Sequence, residues 1–295
     1  MPYASALVVA NPIAGRGAGR ARAQALTDAL RAAGIDATLF LTGARGDAQQ
    51  RVADLHGSAG AVPEVVVVVG GDGTVGEVLG GLPPEIPLAV HAMGTANVLS
   101  LDLRLPRTVA GTVAMLQSGR LQGIDVAHVN GRLSFLVVGV GFDGAAVREV
   151  ERLRRGPITK WNYVGAVLRV LRTWRAPRLS VEIDGRAIPG TYGWIVVSNL
   201  IGYGGILQLW KERKLDDGLY EVFLFEKATR LALVRYALAG FLGRLPGRSC
   251  RMLQARQVRI QSEVPVPYQV DGDQGGETPI DLQISSERFK LVVPA

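Results

Sequence analysis

The amino-acid sequence predicts an α/β protein in two parts, a doubly wound N-terminal α/β domain and a β-rich C-terminal domain. Two observations predict this division. Segments typical of strands and of helices alternate in the first part of the chain. Beyond it, short apolar runs separated by turn residues predominate, with one or two helices inserted. We therefore expect domains at residues 1–127 and 128–295, each long enough to bury its own core, with a last strand that can return to the first domain.

Strand and helix segments follow one another closely in the N-terminal part. The first strand stops at Pro12, and the first helix closes on Gly34, a residue type that often ends helices. Such alternation is typical of a parallel sheet with helices on both faces. The expected strands are residues 6–12, 35–43, 64–71 and 86–97, the last including a loop, and the expected helices are residues 19–34, 47–57 and one that begins within 74–82.

The C-terminal part is read as strands joined by tight turns. The pair Asp184 and Gly185 is a hairpin signal, because both residue types tolerate the positive φ of a two-residue turn. The expected strand segments are residues 133–142, 179–184, 192–200, 219–225, 256–262, 266–273 and 290–295.

Five consecutive valines, residues 65–69, form the most regular strand segment. β-Branched residues are stiff, and a run that is apolar on both faces fits the inside of a parallel sheet. The run leads into GGDGT (70–74), where Asp72 stands among bare N–H groups. A lone carboxylate there would repel phosphate, so a divalent cation or a proton-bearing partner is expected between Asp72 and the phosphate oxygens. The alternative is that Asp72 is an ordinary helix N-cap.

Three glycine-bearing loops follow predicted strands and precede predicted helices, at residues 11–19, 70–74 and 93–97. Ligands of doubly wound sheets collect at the carboxyl ends of the strands, and glycines let the backbone approach them closely. The N–H groups that open a helix bind phosphate oxygens. These loops therefore predict a nucleotide site.

The common nucleotide signatures do not fit these loops. Glycines stand at 15, 17 and 19, whereas the dinucleotide spacing needs the third at 20 or 22, and both positions are arginine. No GK[ST], HRD or DFG sequence is present, so P-loop and protein-kinase sites are not expected.

A formal net charge of +7 is compatible with an anionic partner, and the densest basic segment is residues 148–160, followed by the aromatic-bearing residues 161–178. We read it as one amphipathic helix. Its apolar face can pack on the domain beneath, or it can meet a membrane surface. In the second case Trp161, Tyr163 and Trp174 would lie at headgroup depth, while Arg154, Arg155, Lys160, Arg169 and Arg172 meet anionic lipid. Basic residues alternate with acidic ones along the helices, so no nucleic-acid partner is expected.

The cysteine, the histidines and the apolar stretches of the sequence predict neither a metal site nor a membrane-spanning helix. Cys250 is the single cysteine, and the three histidines are far apart, so neither disulfides nor His/Cys metal sites are expected. No stretch reaches the roughly 18 uninterrupted apolar residues of a membrane-spanning helix, since Arg235 breaks residues 232–243. No secretory signal is evident, and a cytoplasmic location is the expectation.

Five motifs resemble those of the diacylglycerol kinase catalytic-domain family, specifically bacterial lipid kinases that also resemble sphingosine and ceramide kinases. In chain order they are NPIAG (11–15), GGDGT (70–74), MGTAN (93–97), LDDGLYEV (215–222) and VDGD (270–273) with TP at 278–279. GGDGT alone is shared with NAD kinases and phosphofructokinases. The resemblance implies an N-terminal domain like that of NAD kinase and phosphofructokinase, a C-terminal β-sandwich domain that offers the lipid site, and a nucleotide between them.

The resemblance also implies the ligands ATP and Mg²⁺ and the residues that contact them. Oxygen ligands suit a hard cation, so the chemistry agrees with this assignment. Asp72, Asp125 and Asp216 would belong to the water network of the metal. The implied ATP contacts are Asn11, Pro12, Ile13, Ala14, Gly15, Thr42, Gly71, Asp72, Gly73, Thr74, Val75, Gly76, Glu77 and Thr95, and the implied Mg²⁺ ligands are Asp217 and the carbonyls of Lys214 and Leu219.

Asp273 resembles the base of the family, and Asp72 is the second catalytic carboxylate that the resemblance implies. Phosphoryl transfer to a hydroxyl needs a group that receives the proton. Two residues depart from the family pattern. The base position holds aspartate where glutamate is frequent, which leaves Asp271 as a rival, and Val98 stands where aspartate is frequent. The segment 199–210 would lie near the lipid-facing side, or it is core with a glycine turn.

The expected function is an ATP-dependent lipid kinase that acts on a lipid hydroxyl as a peripheral protein at the inner membrane face. The alternatives are a kinase of a soluble substrate, such as an NAD kinase, and a non-catalytic, nucleotide-dependent membrane-binding regulator. The sequence leaves open which lipid is the acceptor, its acyl-chain preference, and whether the chain forms a homodimer.

Overall fold

The structure is a computed structural model that describes residues 3–56, 62–153, 160–203, 207–208, 214–245 and 250–295. The chain divides into two compact units, Met1–Ile124 with Glu287–Ala295, and Asp125–Ser286. The division lies three residues before the boundary expected after residue 127, and the last nine residues belong to the first unit. Strand β5 (Arg120–Val129) and the last strand, β18 (Ile280–Val293), contribute residues to both units.

The first unit contains a parallel sheet in the order β2-β1-β3-β4-β18. All five valines of β3 are fully buried, as expected for the inside of a sheet with both faces covered. The doubly wound prediction is confirmed. The strands are β1 Ser5–Ala10, β2 Asp36–Leu41, β3 Val65–Gly70 and β4 Leu88–Ala92, and the helices are α1 Gly19–Ala32, α2 Asp47–Ala53, α3 Asp72–Leu79, α4 Val98–Asp102 and α5 Val109–Ser118.

The second unit contains two antiparallel layers around one apolar core. One layer has the order β14-β13-β10-β7-β16-β17, and the other has the order β18-β15-β8-β9. Side chains of both layers share a core cluster, for example Val138 and Val197 of the first layer with Val181 and Ile260 of the second. This arrangement is a β-sandwich.

The elements of the second unit include three helices among the described residues, where one or two were expected. The strands are β6 Arg132–Ser134, β7 Val137–Val140, β8 Leu179–Ile183, β9 Arg186–Tyr192, β10 Trp194–Ser198, β11 Gly202–Tyr203, β12 Leu207–Gln208, β13 Tyr220–Phe225, β14 Cys250–Ala255, β15 Gln257–Ser262, β16 Pro267–Val270 and β17 Asp273–Glu277, and the helices are α6 Phe142–Arg152, α7 Lys160–Thr173 and α8 Arg230–Phe241.

Two predicted details of the C-terminal part have opposite outcomes. The hairpin at Asp184 and Gly185 is confirmed, because both residues have positive φ and Ile183 pairs with Arg186. The prediction of one amphipathic helix within 148–178 is wrong, because α6 ends at Arg152 and α7 begins at Lys160. The sequence between these helices contains Gly156 and Pro157, and proline disfavours a continuous helix.

None of the helices in the described ranges is long and apolar enough to cross a membrane.

Candidate active site

The loop between β3 and α3 carries Asp72 at the carboxyl edge of the parallel sheet. Helix α3 begins at Asp72, two residues before the expected start at Thr74, and Gly71 is its N-cap. A Cβ on Gly71 would lie 3.0 Å from the Cα of Gly94, so the loop and the segment after β4 pack backbone to backbone. Gly71 is therefore required by the close approach of these two segments.

The Asp72 carboxylate is directed at the start of helix α4. Its Oδ2 accepts a hydrogen bond of 3.0 Å from the main-chain N–H of Val98. Burial raises the pKa of Asp72 above its ordinary value, while main-chain hydrogen bonds from Val98, Leu99 and Asn97 oppose that rise. The alternative of an ordinary N-cap is wrong in its geometry, because the carboxylate serves a neighbouring helix and Gly71 caps α3.

The loop after β4 is held by a pair of hydrogen bonds within it. The side chain of Asn97 accepts from the N–H of Gly94 at 2.8 Å and donates to its carbonyl at 2.7 Å. Asn97 itself has a φ of 50° and is the N-cap of α4. Val98 is buried, so its contribution to Asp72 comes from its main chain.

The loop between β1 and α1 lies against the other two. The N–H of Asn11 donates to the carbonyl of Val69 at 3.1 Å, and the Asn11 side chain accepts from the N–H of Ile13 at 3.1 Å. A Cβ on Gly15 would collide with the side chain of Met93. At the end of β2, the N–H of Thr42 donates to the carbonyl of Ala10 at 2.9 Å, next to Asn11. One edge of the sheet therefore carries all four predicted nucleotide-contacting segments.

This edge can bind phosphate oxygens through main-chain amides at the starts of α1 and α3. Thr74 and Val75, two of the predicted ATP contacts, are buried, and their main-chain N–H groups donate to the carbonyl of Gly71 at 3.0 and 3.1 Å. Ile13, with 78% of its surface exposed, and Thr95 stand open to solvent. The predicted contacts on this edge are Asn11–Gly15, Thr42, Gly71–Glu77 and Thr95.

In the second unit, hydrogen bonds hold the turn of the predicted metal loop, residues 214–219. The Asp217 side chain accepts from the N–H of Leu219 at 3.0 Å, and the Asp125 side chain accepts from the N–H of Gly218 at 2.6 Å. Asn199 donates to the carbonyls of Asp125 and Leu215 at 3.0 and 3.4 Å. Asp125 thus lies against the loop.

The atoms around this loop fit a hard cation in their chemistry. Oδ1 of Asn199 is buried and has no hydrogen-bond partner among the described residues, although its amide nitrogen lies on the loop carbonyl of Leu215. Across the described ranges, no three His, Cys, Asp or Glu side chains group as in a metal site. A cation at this loop would therefore depend on main-chain and amide oxygens as well as on Asp217.

Asp271, the rival base, is a partly buried residue whose carboxylate has a structural role. Its two oxygens accept four hydrogen bonds, from the hydroxyl of Ser134 and from the N–H groups of Phe135, Leu136 and Val137, at 2.9 to 3.0 Å. Burial raises the pKa of Asp271 to about 6, and the four donors oppose that rise. Both carboxylate oxygens of Asp271 therefore hold the connection between β6 and β7.

Asp273 opens strand β17 after the turn at Asp271 and Gly272, whose φ values are both positive. Its Oδ2 accepts a hydrogen bond of 3.0 Å from the guanidinium of Arg132, which also donates to the carbonyl of Gln274 at 2.9 Å. The Asp273 side chain is about half exposed. The Asp273 carboxylate is therefore accessible to solvent, whereas the oxygens of Asp271 are occupied by four donors.

The sequence did not point to four residues that build this part of the second unit: Arg132, Ser134, Asn199 and Tyr220. The hydroxyl of Tyr220 lies 3.2 Å from the carbonyls of both Asp125 and Ser134, so it connects the metal loop to the Asp271 network. Burial, and then the nearby Asp271 and Asp125 charges, raise the pKa of Tyr220 well above its ordinary value. Their partners lie far away in the sequence, and no local spacing signals such contacts.

The basic segment that was read as a membrane contact is only partly described. Arg154 and Arg155 lie outside the described residues, as do the side chains of Lys160 and Trp161. The indole N–H of Trp174 donates to the carbonyl of Ala228 at 2.7 Å, and its ring packs edge-on against Phe142. Arg169, Arg172 and Tyr163 are exposed. Within the segment 199–210, residues 204–206 and 209–210 lie outside the described residues, and Asn199 and Leu200 are buried.

Two family models match the chain. Residues 5–129 match the model described as the diacylglycerol kinase catalytic domain. Residues 136–293 match the YegS C-terminal NAD kinase beta sandwich-like domain.

Curated relatives cover nearly the whole chain at low identity. A protein of Bacillus subtilis (strain 168) named diacylglycerol kinase is 23% identical over 294 residues, which are 98% of this chain and 96% of the relative. A diacylglycerol kinase of Staphylococcus saprophyticus is 23% identical over 295 residues, 98% of this chain and 95% of the relative.

Solved structures share the fold. A diacylglycerol kinase from Bacillus anthracis superposes with a TM-score of 0.74 at 22% identity, covering 99% of this chain and 98% of the other. An NAD kinase from Archaeoglobus fulgidus in complex with ATP has a TM-score of 0.50 at 14% identity, covering 98% and 92%. These likenesses concern the fold, an NAD kinase-like α/β domain followed by a β-sandwich.

Proposed function

Because the chain belongs to the diacylglycerol kinase catalytic-domain family, we propose that it is an ATP-dependent lipid kinase that phosphorylates a hydroxyl of a diacylglycerol-like or sphingoid-like lipid. One observation carries the proposal. Three glycine loops pack together at the carboxyl edge of the first unit and hold Asp72 at the start of α4. The family is one of kinases, and the names of the relatives support the lipid acceptor.

The first unit is proposed to bind ATP through its loops. The amides that open α1 and α3 donate to phosphate oxygens, since helix N-termini favour anions. The bare backbone at Gly71 and Gly73 allows phosphate to approach closely. The residues assigned to ATP are Asn11–Gly15, Thr42, Gly71–Glu77 and Thr95.

Asp273 is proposed to receive the proton of the acceptor hydroxyl. As the lipid oxygen forms its bond to the γ-phosphorus, the bond from that phosphorus to the bridging oxygen breaks and ADP leaves with the electron pair. Arg132 orients the Asp273 carboxylate. Asp271 is not assigned this role, because four donors already occupy its two oxygens.

Asp217 and the carbonyls of Lys214 and Leu219 would hold Mg²⁺, with the orphaned amide oxygen of Asn199 close to the same loop. Bound Mg²⁺ would supply positive charge that lowers the cost of charge on the transferring phosphoryl group. Asp125, whose side chain accepts from the N–H of Gly218 in the same loop, would hold a water of this ion in place. The Asp72 carboxylate is itself fixed by the amides at the start of α4.

The acceptor is proposed to reside in a membrane, which the chain would reach as a peripheral protein from the cytoplasmic side. The positive net charge of +7 supports an anionic surface as its partner.

The test is transfer of label from γ-labelled ATP, with Mg²⁺, to lipids separated by class. We expect a labelled lipid, and we expect Asp273→Asn to abolish labelling without unfolding the protein. NAD is offered in parallel, because the fold is shared with an NAD kinase. Labelled NADP with no labelled lipid would overturn the lipid assignment. Nucleotide-dependent membrane binding without any turnover would favour a regulator instead.

A further inference from the structure

Helix α8 exposes a continuous apolar face that the proposed chemistry does not use. Five large apolar side chains, from 51% to 67% exposed, lie on it. At about 100° per residue they span an arc of roughly 100° on one side of the helix. These residues, hereafter the outer stripe, are Leu231, Val234, Leu238, Phe241 and Leu242.

The opposite side of α8 is fixed to the second unit. Leu233, Tyr236 and Gly240 are buried, and the Tyr236 ring lies 4.6 Å from that of Phe225. The side chain of Thr229 caps the helix by accepting from the N–H of Ala232. The buried side of α8 thus already packs on the second unit. Packing within the protein does not explain why the outer stripe is apolar.

The charges around the stripe have one sign. Residues 227–250 contain five basic residues and no acidic one. Arg230 and Arg235 are exposed and border the stripe on its two sides, by the same helical geometry. The first turn of a helix favours acidic residues, yet α8 has none there. The positive charges thus do not serve the stability of the helix.

We propose that α8 docks the protein onto a membrane surface that contains anionic lipid, with the outer stripe inserted among the acyl chains and the arginines at the headgroups. An apolar face flanked by arginines is what such a surface binds. A second copy of the chain fits less well, because a two-fold contact would bring the arginines of both copies together. The inference rests on the proposed function, since an acceptor held in a bilayer requires the enzyme to reach the bilayer.

The test uses flotation of the full-length protein with phosphatidylcholine vesicles containing one-third phosphatidylglycerol. Leu238→Asp combined with Phe241→Asp should lower binding about tenfold or more, because each change removes a large apolar side chain from the bilayer. Arg235→Gln should lower it about fivefold, and only on the anionic vesicles. Both positions of the double variant are exposed, so its thermal unfolding midpoint should stay close to that of the wild type.

The matched control is Val164→Asp with Leu168→Asp on α7, whose side chains are 45% and 55% exposed. This variant should bind vesicles as the wild type does. Wild-type binding by the α8 variant, or loss of binding in the α7 variant alone, would overturn the proposal. A wild-type dimer that the α8 variant converts to a monomer, with vesicle binding intact, would also overturn it and assign the stripe to a second copy.

A separate assay keeps this inference distinct from the proposed function. Turnover on a short-chain diacylglycerol dispersed in detergent does not require docking on a bilayer, so the α8 variant should keep it. Failure of the wild type to phosphorylate any lipid would remove the proposed function, whereas vesicle binding would still decide the role of α8.

Discussion

The main-chain N–H of Val98 donates a hydrogen bond of 3.0 Å to Oδ2 of Asp72. This contact joins the loop after β3 to the helix after β4, and it uses the backbone of Val98 and not its side chain. The position is buried and contributes through its backbone. Asp72 is thereby a fixed negative charge at the edge where we place the nucleotide.

Asp72→Asn should lower kcat at least about a hundredfold while reducing the free energy of unfolding by only about 1 kcal/mol. Asparagine can still accept from Val98 but lacks the charge. Steady-state kinetics and urea unfolding measure the two effects. Asp36→Asn, at an exposed position in the same unit, is the control and should change neither. Near-normal kcat in Asp72→Asn would contradict the assignment.

Substitution by asparagine should affect mainly stability at Asp271 and mainly turnover at Asp273. In Asp271→Asn, an amide NH₂ replaces an oxygen that accepts from main-chain N–H groups, so unfolding should become easier by about 2–4 kcal/mol. Asp273→Asn changes a half-exposed side chain and should cost under about 1 kcal/mol while abolishing turnover. Urea unfolding and label transfer distinguish them. The reverse pattern would make Asp271 the base.

The sequence predicted those parts of the fold that local patterns encode. The valine run gave β3, and Asp184 with Gly185 gave the β8–β9 turn. The start of α3 was placed two residues late, because Asp72 and Gly73 look like turn residues. Helix α5 was missed although Thr108 is a signal for it, since its side chain caps the helix by accepting from the N–H of Gly111. Helix α8 has apolar residues on both sides, so no amphipathic period marks it.

Contacts between residues that are far apart in the sequence could not be predicted from local patterns. Arg132 and Asp273 are 141 residues apart, and Tyr220 and Asp125 are 95 apart. Such pairs depend on the order of strands in the sandwich, which no local spacing encodes. The motifs predict residues for the chemistry, whereas the groups that hydrogen-bond to those residues became visible only in the structure.

Arg132 should act by positioning Asp273. Arg132→Gln is expected to lower kcat about tenfold with little change in KM for ATP, because the carboxylate loses its fixed orientation but remains present. The pair is partly exposed, so stability should change by less than about 1 kcal/mol. Arg132→Lys should restore part of kcat. The matched control is Arg148→Gln, which breaks a similarly exposed pair with Glu277; an equal loss of kcat there would contradict a specific role for Arg132.

Asp217 should determine whether Mg²⁺ stabilises the second unit. Added Mg²⁺ is expected to raise the thermal unfolding midpoint of the wild type, because a ligand that binds only the folded state stabilises it. In Asp217→Asn the side chain still accepts from Leu219, so the loop should keep its shape but lose the Mg²⁺-dependent shift. Asp216→Asn should keep most of the shift, because Asp216 would reach the ion only through water. Loss of the shift in Asp216→Asn, with Asp217→Asn unaffected, would move the metal ligand by one residue.

His91 should make the first unit sensitive to mild acid. Its Nδ1 lies 2.8 Å from the hydroxyl of Thr112, and that hydroxyl donates to the carbonyl of Thr108, so Nδ1 carries the proton. The other nitrogen, Nε2, is buried without a hydrogen-bond partner in the described part of the chain, and protonation there would create an unpaired N–H. Burial, and then the charge of Arg22, lower the pKa of His91 from 6.5 to about 4.

The unfolded chain therefore binds a proton to this histidine at a higher pH than the folded chain does. The contribution of His91 to stability is present above pH 6.5 and is lost as the pH falls toward 4. Between pH 7 and pH 5 the loss should reach about 2 kcal/mol, measured by urea unfolding. His91→Phe should remove this part of the pH dependence, whereas the same substitution at exposed His128 should leave it. Because Asp271 contributes with the opposite sign, through its raised pKa, the comparison is between variants and wild type at each pH. Equal slopes for wild type and His91→Phe would show that His91 is protonated without cost in the folded state.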